Sequence, residues 1–196
     1  MFVFALAVLL LMLTPGPAIL MIINIGVNFG FRKGIPFVIG VITGANMVAI
    51  SVIFGLATIV LNYPILRLVL LLSSTIFIFY LTIRILTQNL QKSLQQNAQN
   101  FSFLDGIILQ IINPKNYIVQ ITLFSGFLIW DEYFVLEAAI KLLITNIVWL
   151  PMHLLWLILG VAIKRINLSK NNLRILNFMI AGLMLGFLLL SILNYN

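Results

Sequence analysis

FLDGIILQIINPKNYIVQITLFSGFLIW, residues 103–130, is an apolar run of membrane-spanning length with an amide, a helix breaker and a charge at its middle: Asn113, Pro114 and Lys115. Each is costly in lipid. A proline inside a helix removes a backbone hydrogen bond and costs about 3 kcal/mol, and a lysine at the centre of a membrane helix costs about 2.5 to 3.5 kcal/mol on insertion scales. Such residues persist only where something compensates them. The same interruption occurs earlier, where Thr14, Pro15, Gly16 and Pro17 stand near the midpoint of an apolar run over about residues 2–30. Two broken helices, one in each half of a chain, point to a ligand site at the midplane of a membrane protein; the alternative is that the prolines only kink the helices and that Lys115 snorkels or bonds to carbonyls.

The composition agrees. Of the 196 residues, 63% are hydrophobic and 8% charged, with a mean hydropathy of +1.20. That leaves too little polar surface to cover a soluble globule, so the expected fold class is all-α, a polytopic membrane protein. The first charge is Arg32, so the N-terminal run lacks the positive region of a signal peptide and is expected to remain as a helix. With no cysteine in the chain, disulfides, thiolate metal sites and thiol relays are excluded. The one histidine, His153, cannot hold a metal alone, and no cofactor is expected. A net charge of +7 could suggest nucleic acid. The basic residues, however, lie between apolar runs without an interleaved aromatic patch, so no nucleic-acid partner is expected. No acid pair, Ser/His set or metal motif falls within one membrane layer, which argues against an enzyme.

Six segments are long enough to span a bilayer at about 20 residues each: roughly 2–30, 35–61, 65–86, 103–130, 134–162 and 173–193. Lysine and arginine placement orients them. Arg32 and Lys33 follow the first segment, Arg84 and Lys92 the third, and Lys164, Arg165, Lys170 and Arg174 surround the turn between the fifth and sixth. Those connections are expected inside, and both termini outside. Arg67 and Lys141 fall against the rule, but each lies near an outer helix end and can snorkel, and Lys141 can pair with Glu137 one turn earlier. The glutamine- and asparagine-rich stretch 87–102 reads as a linker within a single transporter domain over residues 1–196. It separates repeat 1, about 2–86, from repeat 2, about 103–193. With six spans and both ends outside, the two three-helix halves must be inverted relative to one another. A register of about 100 residues sets Pro15 opposite Pro114 and Asn46 opposite Asn146.

A proline frees a carbonyl one turn upstream and starts a half-helix whose first amides present the positive end of the dipole to the break. Such an end attracts a carboxylate. Two of them meeting at the midplane, with free carbonyls opposite, suit a zwitterion. Its carboxylate would meet amides and Lys115; its ammonium would meet carbonyls around Met12, Leu13 and Gln110 or the side chains of Thr14 and Asn113. Gly16 removes a side chain where a ligand or neighbouring backbone comes close. Asn46 and Asn146 are candidate ligands too, although an asparagine at this depth more often bonds another helix. His153, flanked by tryptophans, is either a packed neutral side chain or a proton carrier. Asp105 is an acid at the inner end of a segment, expected at the interface. The pairs Gly26/Gly30, Gly40/Gly44 and Gly182/Gly186 have the spacing that lets membrane helices approach closely, and internal packing is expected of them.

The chain resembles the LysE/RhtB family of amino-acid exporters in three places. Thr14-Pro15-Gly16-Pro17 followed by Gly26, Gly30, Gly34, Gly40 and Gly44 is similar to the family's opening pattern. Tyr63-Pro64-Ile65-Leu66 leading to Tyr80-Leu81-Thr82-Ile83-Arg84 is similar to its third helix. Phe103-Leu104-Asp105-Gly106 through Ile112-Asn113-Pro114-Lys115 is similar to its "F..G...N..NPK" segment. The resemblance implies a small bacterial inner-membrane permease, with the lipid bilayer as its surroundings; whether it is a homo-oligomer is left open by the sequence. Such a permease exports amino acids or derivatives, driven by proton exchange, and Pro15, Gly16, Pro17, Asn113, Pro114 and Lys115 would lie at its functional centre. Two departures stand out: Ala45 and Asn46 occupy the region where many members carry an aspartate, and Ser125-Gly126 stands where a proline is usual. The alternatives are a metal-ion exporter of similar architecture, which needs clusters of histidine, cysteine or carboxylate, and a structural membrane subunit, which has no use for Lys115 at the midplane.

Overall fold

Prolines and glycines cut the apolar runs into helices. The computed structural model describes residues 1–14, 16–55, 63–86, 101–127, 133–166 and 169–193. Among these residues there are eight helices and no strand: α1 (Phe2–Leu13), α2 (Pro17–Phe29), α3 (Phe31–Ile53), α4 (Pro64–Leu86), α5 (Phe103–Ile112), α6 (Pro114–Ser125), α7 (Phe134–Arg165) and α8 (Lys170–Leu193). Pro17 and Pro114 open α2 and α6 at the first helical position, where a missing N–H is no loss. Ser102 starts α5 through a capping box with Asp105. Asp105 also pairs with Arg84 at 3.2 Å, so it fastens α5 to α4.

Both predicted helix breaks are present. The axes of α1 and α2 meet at 62°, and Asn113 separates α5 from α6. Three helices, α3, α4 and α7, are long and apolar enough to cross a membrane, with a fourth span if the bent pair α1/α2 counts as one. At ~1.5 Å per residue, neither the 10-residue α5 nor the 12-residue α6 crosses a core of about 30 Å alone. The first connection is tighter than expected. Gly30, with φ 84°, ends α2 by donating its N–H to Gly26 and Ile25 and leads straight into α3. Arg32 and Lys33 therefore stand in the first turn of α3 and not in a loop. The linker 87–100 and the acidic pair Asp131 and Glu132 lie outside the described residues.

Glycine sets the two closest crossings. A Cβ on Gly26 of α2 would stand 3.0 Å from the Gly160 Cα on α7, and one on Gly160 would strike the Ile23 carbonyl. At the second crossing a Cβ on Gly40 would strike the Phe103 carbonyl, and one on Gly44 would lie 2.8 Å from that of Ile107, bringing α3 onto α5. Internal packing thus accounts for Gly26, Gly40 and Gly44. It does not account for Gly182 and Gly186, which meet nothing within 4 Å, because they lie on a side of α8 away from the other described helices. The core between these crossings is built from Met21, Ile22, Phe37, Leu81, Leu109 and Leu157, all fully buried. Beside it Asn24 and Asn28 donate to Asn177 Oδ1 at 3.0 and 3.2 Å, tying α2 to α8. On its other side α4 turns large apolar side chains such as Ile65 and Ile76 outward, as lipid contact requires.

Lys141 departs from the snorkelling expected of it. It does pair with Glu137, but both are buried, and its ammonium also donates to the Phe124 and Phe127 carbonyls. Those carbonyls lie at the C-terminal end of α6 and just beyond it, where the dipole is negative and a cation is favoured. The end of α6 takes the charge that the outer surface was expected to take.

Candidate functional site

The two breaks have almost the same backbone. Thr14 is extended at φ −74°, ψ 105°, and Asn113 at φ −80°, ψ 108°. Each precedes a proline, whose ring forces the residue before it out of the helical region. The breaks touch: Lys115 Nζ donates to the Thr14 carbonyl at 2.8 Å. Gly16 makes room for this, since a Cβ there would lie 3.1 Å from Lys115 Nζ and 3.2 Å from its Cδ.

The half-helix ends differ in what they offer. At α6, Asn113 accepts the Lys115 N–H on its side chain at 3.1 Å and the Asn116 N–H on its carbonyl at 3.0 Å. Its first amides are therefore engaged. At α2 the N-cap is Gly16, which has no side chain to cap with. Only this end keeps the character of an open anion site. The carbonyls are used unequally as well. Pro114 frees that of Gln110, but Asn116 Nδ2 takes it at 3.2 Å, so it is not open to a ligand as the sequence suggested. Gln120 continues the network, donating to Asn116 Oδ1 at 3.3 Å and to the Ala45 carbonyl at 3.2 Å. Both side chains are buried; Gln120 clamps α6 against α3, and Asn116 ties it to the end of α5.

Around the breaks lies a cavity of about 60 Å³, lined by Leu11, Met12, Thr14, Gly16, Ala18, Ile19, Gln110, Asn113, Lys115, Asn116, Val119, Trp149 and His153. One water needs about 10 to 15 Å³ of the same measure, so the cavity has room for roughly five waters or a small ligand in their place. The lining combines a cationic and dipolar part, Lys115 and the start of α2, with the aromatic pair Trp149 and His153. His153 is buried, with Nδ1 2.8 Å from the Trp149 carbonyl. A carbonyl only accepts, so Nδ1 carries the proton of the neutral ring and Nε2 is left as an acceptor.

Of the residues singled out in the sequence, Thr14, Gly16, Asn113 and Lys115 line this cavity, while Pro17 and Pro114 begin the helices that bound it. Pro15 lies outside the described residues. Asn46 and Asn146 do not line the cavity; they bond to each other at 2.8 Å in both directions. The sequence reading missed Asn116, Gln120 and Trp149. Asn116 directly follows Lys115, and one helical turn separates it from Gln120, so the i, i+4 spacing of two amides in an apolar run was the available signal.

A family model described as LysE type translocator matches residues 9–194 of the chain. No curated protein and no solved structure matches it.

Proposed function

Because the chain belongs to the LysE type translocator family, and so to a family of membrane transporters and not enzymes, we propose that it exports amino acids or similarly small zwitterions across the bacterial inner membrane in exchange for protons. The observation that carries this reading is the contact of Lys115 with the Thr14 carbonyl across a cavity at both helix breaks. A zwitterion fits that cavity in one orientation. Its carboxylate faces the uncapped start of α2 and the Lys115 ammonium, and its own ammonium faces the acceptor that His153 Nε2 offers. The cavity volume favours a compact ligand, and no carboxylate among the lining residues provides a counter-charge for a basic side chain.

In this reading α1 to α4 and α5 to α8 are two inverted halves of three spans each, with both termini outside. Transport is the rocking of one half against the other around the breaks. Purified protein in liposomes loaded with unlabelled amino acids tests the function: it should accumulate labelled amino acid from outside by counterflow. Absence of counterflow for every amino acid would contradict the reading.

A further inference from the structure

Helix α7 turns one unbroken row of hydrogen-bonding side chains inward. Glu137, Lys141, Thr145, Trp149 and His153 follow each other at every fourth position, and all are buried, none more than 6% exposed. Residues four apart are neighbours on the helix surface, so the row winds slowly around α7 as it climbs ~24 Å along the helix at ~1.5 Å per residue. A face this polar is the last place for a 32-residue apolar helix to bury by default. Its two ends are defined. At one end Glu137 and Lys141 form an ion pair; at the other His153 lines the cavity. Between them, neither Thr145 Oγ1 nor Trp149 Nε1 has a hydrogen-bond partner among the described residues, although both atoms are buried.

We propose that this row conducts the coupling proton, taken up at Glu137 and held at His153 Nε2; the inference rests on the transport reading above. The charged groups facing it are few. Lys141 lies beside Glu137, and Lys115 stands on the same cavity as His153. The other cavity-lining residues, from α1, α2, α3-facing α6 and α5, carry no titratable side chain. Thr145 both accepts and donates, so its hydroxyl passes a proton between bridging waters. The Trp149 indole only donates and orients such a water. The proton balance is simple. One proton from the outer medium travels the row and converts neutral His153 to imidazolium, which repels the ligand's ammonium and releases the zwitterion outward. When the cavity faces inward, the ammonium of the next amino acid takes the place of that proton, which leaves to the inner medium. No bond to the ligand is formed.

Thr145→Val separates this role from a structural one, because it deletes a hydroxyl that has no partner among the described residues and leaves the shape unchanged. The assay is reconstituted protein with a labelled amino-acid mixture, comparing counterflow with uptake driven by a pH gradient. Thr145→Val is expected to melt no lower than wild type and to keep counterflow within twofold, while gradient-driven uptake falls at least tenfold. His153→Gln, at a residue that lines the ligand cavity, is expected to lower counterflow through weaker binding and to lose the gradient response altogether. Its apparent affinity for amino acid should be flat with pH, whereas that of the wild type weakens as the pH falls. Gradient-driven uptake in Thr145→Val within twofold of wild type would overturn the route, as would an equal loss of counterflow and uptake. Absence of counterflow in the wild type would instead bring down the transport reading, and is seen before any variant is made.

Discussion

Asn46 on α3 and Asn146 on α7, one hundred residues apart, exchange two hydrogen bonds of 2.8 Å, each amide donating to the other's oxygen. Each also donates to the carbonyl four residues before it, Ile42 and Leu142, at 2.9 and 2.8 Å. The environment of one asparagine is thus the environment of the other, as a two-fold axis between them would require. Thr14 and Asn113 show the same kinship in their backbone angles. These relationships support the inverted arrangement of halves proposed above.

The asparagine pair makes a thermodynamic prediction. Asn46→Ala strands a part-buried amide and is expected to cost about 1 to 2 kcal/mol. The double variant with Asn146→Ala should recover part of that loss, with a coupling of roughly 0.6 to 1.7 kcal/mol. Thermal melts of the detergent-solubilised protein measure this, and strictly additive losses would deny the pair its role.

Glycines in different places should respond differently to the same methyl group. Gly160→Ala drives a Cβ into the Ile23 carbonyl and toward the Gly26 Cα, so the α2/α7 crossing must open and the melting temperature should drop by several degrees. Gly182→Ala meets open space and gains helix propensity of about 1 kcal/mol, so it should melt at or above wild type. The same melts decide, and a reversed order would show that the crossings are wrongly assigned.

At Gly16 the effect should fall on function. Its φ of −135° is open to any residue, and the atoms a methyl would meet are the far end of the flexible Lys115 side chain. Gly16→Ala is expected to fold normally and to cut amino-acid efflux roughly tenfold, a loss of about 1.4 kcal/mol in site organisation. Wild-type efflux from this variant would mean that Lys115 need not rest on Thr14.

Topology is open to direct labelling, since with no native cysteine any introduced thiol is the sole one. Lys164 Nζ donates to the Asn28 carbonyl at 3.4 Å, which sets the end of α7 beside the end of α2 and the start of α3. Lys33→Cys and Lys164→Cys should therefore react with an impermeant maleimide from one side, the inside, and Glu132→Cys from the other. Labelling of Lys33→Cys and Lys164→Cys from opposite sides would break the arrangement.

Much of this was legible in the sequence for a physical reason. A proline and a charge in an apolar run are expensive, so their positions expose helix breaks and mark a candidate site without any knowledge of packing. Side-chain geometry was less accessible. That Asn113 caps α6 with both its oxygens, leaving α2 as the open half-helix, depends on rotamers that no spacing reveals. Lys141 reads as a surface residue until the C-terminal end of α6 is seen beside it. The inward row of α7 was visible as a period of four in polar residues, but its fourth member is a tryptophan, whose single N–H hides within an apolar ring.

The most direct measurement is efflux from cells preloaded with a mixture of amino acids, with the medium read by mass spectrometry and wild type compared with Lys115→Ala. Selective release of one or a few amino acids by wild type, abolished in Lys115→Ala although that variant is inserted and monodisperse, is the result predicted. Equal release by both would remove Lys115 from the site, and release by neither would contradict the assignment of amino acids as the transported class.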